Sequence, residues 1–278
     1  MARGILALRW VVLLRARGTR LPWWRAFQIN LIGSFFSTFL PSTIGGDVVR
    51  AYRLSALKGK TADSVVSIIL ERTLGLLSLA IIATAGCVLG YDLIRGTGAV
   101  TAVAVIWLLI GGAAFIFYTA GTWQRLIRRF VKPKEDGRLK ALTTKLNALH
   151  DSAAGFRSSP RSLVLGLVLS LVAKAIAASA VGLALAHAIG VQVNVGYFIV
   201  FGPIRQCILM VPISIQGIGL REASSVFFYH RTAGIMTEAQ AIAYGLLGYG
   251  LMLSLSAIGG VVYAISGTPK RADAEPPS

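Results

Sequence analysis

Acidic residues are scarce in this chain. Of its 278 residues only 11 are Asp or Glu, against 28 Lys or Arg, and charged residues of both signs amount to 14%. A water-facing fold draws on roughly 25% charged residues to cover its surface, so a soluble globular domain is excluded. Cysteine is nearly missing as well. Cys87 and Cys207 both fall in apolar stretches without CxxC spacing, which excludes a disulfide framework and a thiolate metal motif. The histidines His150, His187 and His230 are scattered and form no ligand cluster. No metal and no cofactor are expected, and the lack of a nucleotide-binding loop or a nucleophile–base pair weighs against an enzyme without deciding the point.

What fills the chain is apolar. Hydrophobic residues make up 55% and the mean hydropathy is +0.70. Stretches without Asp, Glu, Lys or Arg cover residues 73–91, 96–124, 175–204 and 239–269. All but the first exceed the roughly 20 helical residues that cross about 30 Å of hydrocarbon, and the first comes close. The chain is therefore expected to be an integral membrane protein. The apolar run at residues 4–14 is short, carries Arg9 and lacks a small-residue cleavage site, so no cleavable signal peptide is expected.

The net charge of +17 is placed between apolar stretches and not on a recognition surface. Arg3, Arg9, Arg15, Arg17, Arg20 and Arg25 open the chain with no acid among them, and residues 122–161 hold a second basic concentration. Short Lys/Arg-rich segments mark the cytoplasmic side and meet anionic headgroups there. The expected partner is an anionic membrane surface, with no nucleic acid. Trp10, Trp23, Trp24 and Trp123 are expected as headgroup-level anchors.

One pattern occurs twice. Pro41-Ser42-Thr43-Ile44-Gly45-Gly46-Asp47-Val48-Val49-Arg50 matches Pro212-Ile213-Ser214-Ile215-Gln216-Gly217-Ile218-Gly219-Leu220-Arg221 at the proline, one isoleucine, one glycine and the arginine. Paired Gly/Pro-interrupted apolar segments in two halves of a membrane protein point to a transport site. Following the basic segments along the chain places both termini in the cytoplasm. The expected fold is all-α: a polytopic helical membrane protein with two interrupted, re-entrant helical hairpins in inverted repeat. A single membrane domain covers 1–268, with a hairpin over 26–58, helices over 64–91, 99–121 and 162–189, a hairpin over 197–229 and a helix over 239–266. The cytoplasmic basic loop is 122–161 and a disordered tail follows at 269–278. Two fully spanning segments at the breaks are the alternative.

Charged groups inside apolar segments cost roughly 2.5–3.5 kcal/mol each on insertion scales and so mark function. The candidates for substrate binding are Gly45, Gly46, Asp47, Arg50, Glu71, Arg72, Lys174, Arg205, Gly217, Gly219, Arg221 and Glu222. Glycines ahead of a helix leave backbone N–H groups free, and an arginine one turn in completes an anion site suited to a phosphate. Asp47, Arg50 and Arg53 are expected on one helix face. The bland alternative pairs Asp47 with Arg50, Glu71 with Arg72 or Arg53, and Glu222 with Arg205 or Arg221, simply to neutralise charge.

With these residues in view, the chain resembles the flippase-like family that includes the membrane region of lysylphosphatidylglycerol synthase. The resemblance rests on Ala7-Leu8-Arg9-Trp10-Val11-Val12-Leu13-Leu14, Phe35-Phe36 with Leu40-Pro41, Gly45-Gly46-Asp47-Val48-Val49-Arg50-Ala51, Glu71-Arg72, Pro212-Ile213-Ser214, and Gly217-Ile218-Gly219-Leu220-Arg221-Glu222. It implies a cell (inner) membrane protein that handles a phospholipid or a polyprenyl-phosphate-linked sugar, with translocation shown or proposed for some members. It also implies one or two further helices ahead of the Arg-Trp element. No aminoacyltransferase domain follows the membrane region in this sequence, so lipid lysylation by this chain alone is not expected. The alternatives are a non-catalytic membrane subunit that positions a soluble lipid-modifying enzyme, and a membrane-embedded glycolipid transferase.

Overall fold

The computed structural model describes residues 1–39, 45–58, 61–95, 100–101, 103–108, 110–112, 159–209 and 217–267. Pro41 and Pro212, the basic loop up to residue 158, most of the expected helix over 99–121 and the tail at 269–278 lie outside the described residues. Every regular element among the described residues is helical, as the composition predicts.

The elements are α1 (Ala2–Arg15), α2 (Trp23–Phe39), α3 (Gly45–Lys58), α4 (Thr61–Leu89), α5 (Tyr91–Ile94), α6 (Pro160–Ala188), α7 (Val195–Ile208), α8 (Leu220–Ser225) and α9 (Glu238–Ser266). A π-helical segment, Ala177–Val181, interrupts α6, and another, Val226–Thr232, continues α8. Among the described residues, α4, α6 and α9, at 29 residues each, are the helices long and apolar enough to cross a membrane. At 1.5 Å per residue each reaches about 44 Å, enough for the hydrocarbon and both headgroup layers. Their ends are set locally. Pro160 opens α6 at its first turn, and Thr237 and Gln240 cap α9 reciprocally. Hydroxyls within the helices are satisfied by carbonyls one turn back, as Thr84 is by Ala80 at 2.8 Å and Ser170 by Gly166 at 2.9 Å. That device keeps polar side chains tolerable in hydrocarbon. Helical residues within 100–112 lie beside α4, where Trp107 Nε1 donates to Thr84 Oγ1 at 2.9 Å.

The sequence treats residues 4–14 only as a short apolar run. In the fold they form α1, and Trp10, Leu13 and Leu14 are fully buried. The expectation that Trp10 anchors at headgroup level is thereby corrected: its ring has no exposed surface, and Nε1 donates to Ser67 Oγ at 3.1 Å. Trp23 and Trp24 do stand at the surface.

Both interrupted segments fold back on themselves. Gly46 and Arg50 of α3 lie against Gly33 of α2. Arg205 of α7 bonds Ser225 of α8, and Leu209 lies by Gly217. The two segments pack on opposite ends of α4 and α9. Hairpin α2–α3 meets the N-terminal part of α4 (Leu54 with Ile68) and the C-terminal part of α9, where Gly259 admits the Leu31 backbone. Hairpin α7–α8 meets the C-terminal part of α4, where Gly86 faces Val200, the C-terminal part of α6, where Gly182 faces Phe198, and the N-terminal part of α9, where Tyr244 stacks on Phe198 at 5.7 Å. Each hairpin sits in its own core, one of Trp10, Ala26, Ile29, Leu54 and Ile68, the other of Phe198, Phe201, Phe228, Tyr229 and Tyr244.

Candidate functional site: two charged clusters

The first cluster assembles α1, α3, α4 and α6. Glu71 sits in α4 one turn below the core contact Ile68, and its carboxylate is bracketed by two guanidiniums. Arg9 Nη2 donates to Oε1 at 2.6 Å and Arg50 Nη2 to Oε2. Arg9 also reaches Ser170 Oγ on α6 at 2.7 Å, and Arg50 lies 4.5 Å over the Trp10 ring. Asp47 accepts from Arg50 at 3.5 Å and pairs with Arg72. Arg9, Arg50 and Glu71 are almost fully buried, with side-chain exposures of 6%, 11% and 6%. Each cation there has a carboxylate, and the cluster locks hairpin α2–α3 to its supports.

The bland pairing expected from spacing is corrected in part. Asp47 does meet Arg50, but Glu71 takes Arg9, from 62 positions earlier, with Arg50 and not Arg72 or Arg53. Arg53 leaves the cluster altogether. It donates to the Gly267 carbonyl at 2.6 Å and lies 5.1 Å over Tyr263. The shared face expected for Asp47, Arg50 and Arg53 therefore divides, because three residues turn a helix by about 300° and six by about 600°. Arg9 is the functional candidate that spacing arguments passed over. Its signal was present, since a lone charge inside the apolar run 4–14 is costly in a membrane unless paired.

The second cluster is built differently. Gly217 and Gly219 have φ of 77° and 80°, the left-handed region that glycine alone enters freely. Gly45 and Gly46 begin α3 as ordinary helix, and Gly46 is there because a Cβ would collide with Ser37 Oγ and the Gly33 carbonyl. Matched glycines thus do unlike work. Glu222 accepts the Gly219 N–H at 2.7 Å, capping α8, instead of pairing with an arginine. Arg205 Nη1 donates to Ser225 Oγ at 2.7 Å, and its guanidinium lies 5.1 Å over Tyr244 and 5.8 Å over Tyr229. Arg221 lies 6.0 Å over Tyr249 and within Coulombic reach of Arg205. Nε of each arginine is buried without an acceptor among the described residues.

Lys174 stands at the midpoint of α6, half-buried, within Coulombic reach of Arg9 on one side and Cys207 on the other. Among the described residues, no carboxylate forms an ion pair with Lys174, Arg205 or Arg221. Among the described residues, Arg9, Arg50 and Arg72 are therefore ion-paired with acids, Arg205 and Arg221 lie on rings and a hydroxyl with Glu222 within Coulombic reach of Arg221, and Lys174 lies near Arg9 and Cys207.

Residues 2–260 match the family model described as the lysylphosphatidylglycerol synthase TM region. The chain belongs to that family. This makes it a lipid-related membrane protein, in agreement with the resemblance read from its motifs. No curated protein and no solved structure matches it.

Proposed function

We propose that the chain is a translocase for a lipid or lipid-linked sugar with an anionic headgroup, bound between two re-entrant hairpins in the cell membrane. The observation that carries this reading is the set of cations that, among the described residues, form no ion pair: Lys174 at mid-helix, with Arg205 and Arg221 on hairpin α7–α8. Half-buried cations without an ion-paired carboxylate are costly in hydrocarbon, and a phosphate supplies a counter-charge. Arginine binds phosphate through paired N–H donors, and the unaccepted Nε groups of Arg205 and Arg221 are such donors.

Hairpin length supports re-entrance. Helices α3 and α7 have 14 residues each, or about 21 Å, short of the roughly 30 Å hydrocarbon layer. The seating of the hairpins at opposite ends of α4 and α9 supports an inverted arrangement, in which a headgroup passes from one hairpin to the other by way of Lys174. The Arg9–Glu71–Arg50–Asp47–Arg72 cluster then serves as the fixed anchor of the first hairpin. With the basic N-terminal residues on the cytoplasmic side, both termini are cytoplasmic.

The test is lipid movement in proteoliposomes, followed by chemical bleaching of a fluorescent anionic lipid in the outer leaflet. The parent chain is expected to move the probe. Arg205→Gln/Arg221→Gln is expected to slow it by about tenfold or more, the worth of one charge-assisted contact of roughly 1.5–3 kcal/mol. Unchanged movement in a well-folded double variant would overturn the reading.

A further inference from the structure

At the turn between α1 and α2, Arg15, Arg20 and Arg25 line a cavity of about 850 Å³ together with Gly18, Leu21 and Pro22. The turn has a local cause. Gly18, at φ 69°, ends α1 and lets its N–H reach the Arg15 carbonyl at 3.0 Å and the Thr19 N–H reach Leu14 at 3.1 Å. Leu21 is then drawn into the core beside Trp10 and Leu14. The reversal places the arginine from the last turn of α1 and those flanking the start of α2 around one space.

The three arginines are exposed, and among the described residues none has an ion pair or hydrogen bond. Their neighbour Arg17 differs, being paired with Asp63 at 3.2 Å. No carboxylate is among the lining residues. The 17-residue helix α2 begins at Trp23, so its free N–H groups and positive dipole end face the same region. Between the lining residues Pro22 and Arg25, Trp23 and Trp24 open α2, 42% and 57% exposed, with rings 5.4 Å and 5.7 Å from Phe27, and Trp23 Nε1 donates to the Gly4 carbonyl at 3.0 Å. Exposed tryptophans of this kind settle at headgroup depth. A basic pocket at that depth suits an anionic headgroup.

We propose that the Arg15–Arg20–Arg25 cavity is a surface site for the phosphate-bearing headgroup of a multiply charged anionic lipid, distinct from Lys174, Arg205 and Arg221. Three unpaired guanidiniums match a headgroup with two phosphates better than one with a single charge, and the tryptophan pair favours a lipid over a free phosphate compound. The site uses none of the residues on which the translocation reading rests and stands or falls apart from it.

The experiment is native mass spectrometry of the full chain in neutral detergent, titrated with cardiolipin, phosphatidylcholine or inorganic pyrophosphate. Cardiolipin is expected to bind the parent, and Arg15→Gln/Arg20→Gln/Arg25→Gln is expected to weaken it by about tenfold or more through lost charge-assisted bonds. The corresponding triple Lys variant is expected to keep most of the affinity. A triple Gln variant that binds within about twofold of the parent would overturn the site. Pyrophosphate binding as tightly as cardiolipin would overturn the lipid as its occupant. Should the triple variant not fold, Arg20→Gln alone carries the same test at a smaller fold-change.

Discussion

Replacing Glu71 with glutamine keeps the shape of the side chain and removes its charge, and the structure sets the size of the result. The carboxylate is shared by Arg9 at 2.6 Å and by Arg50, and all three side chains are almost fully buried. At an effective dielectric of about 20, a unit-charge pair about 4 Å apart is worth roughly 4 kcal/mol before desolvation is counted. Removing one partner of a buried pair typically costs about 3–5 kcal/mol, because the other charge stays behind. Here two charges stay behind, held in place by Ser170 and the Trp10 ring. Glu71→Gln should therefore destabilise the chain by about 4 kcal/mol or more, a fall of about 10 °C in melting temperature. The assay is thermal unfolding of the purified chain in detergent, with Arg72→Gln as the internal comparison. Arg72 is 49% exposed at its side chain, and an exposed pair is worth about 0–1 kcal/mol. Arg9→Gln/Glu71→Gln should cost less than the sum of its single changes, since the second substitution removes a charge the first has stranded. A Glu71→Gln protein that melts within about 2 °C of the parent would refute the claim that this cluster anchors the first hairpin.

Other expectations follow from the same geometry. Gly46→Ala should abolish monodisperse protein in fluorescence-detected size exclusion, because its Cβ meets Ser37 and the Gly33 carbonyl. Gly219→Ala, with open space but φ of 80°, should fold at a cost of about 1–2 kcal/mol. Trp10→Phe removes the bond to Ser67 at 3.1 Å and should cost about 1 kcal/mol in thermal unfolding, while Trp10→Ala also empties a buried site and should cost about 3–5 kcal/mol. In a background of Cys87→Ala and Cys207→Ala, Phe39→Cys and Ile218→Cys, both at exposed ends of the hairpin breaks, should label from opposite sides of intact cells. Labelling from one side only would rule out opposed hairpins.

Much of the fold was legible because the rules that govern it are local. A charge-free run of sufficient length has to span as a helix, since hydrocarbon satisfies no backbone group. That logic accounts for α4, α6 and α9, which among the described residues are long and apolar enough to span. It passed over α1, because six arginines in the opening residues suggested a surface segment. The candidate site was legible as a set of residue types and not as a set of contacts. Matching motifs suggested matching roles for Arg50 and Arg221, yet Arg50 lies against Asp47, Glu71 and Trp10 whereas Arg221 lies near Tyr249 and Met252 without an acidic pair. Neighbours differ although the local sequence repeats, because the neighbours come from other helices.

Sequence by itself determined that this chain lives in a membrane, that it is helical, that two segments are broken, and that a short list of charges within apolar stretches must be accounted for. These conclusions depend only on residue type, run length and the position of proline and glycine. Tertiary structure alone decided which charges are spent on holding the protein together and which are left without acids. Arg9 meets Glu71 across 62 positions, and Glu222 turns to the Gly219 backbone instead of Arg221. Ion pairs are made at contact distance, and contact distance between helices is set by where glycines such as Gly46, Gly86 and Gly259 let backbones approach, which no spacing along one helix can state.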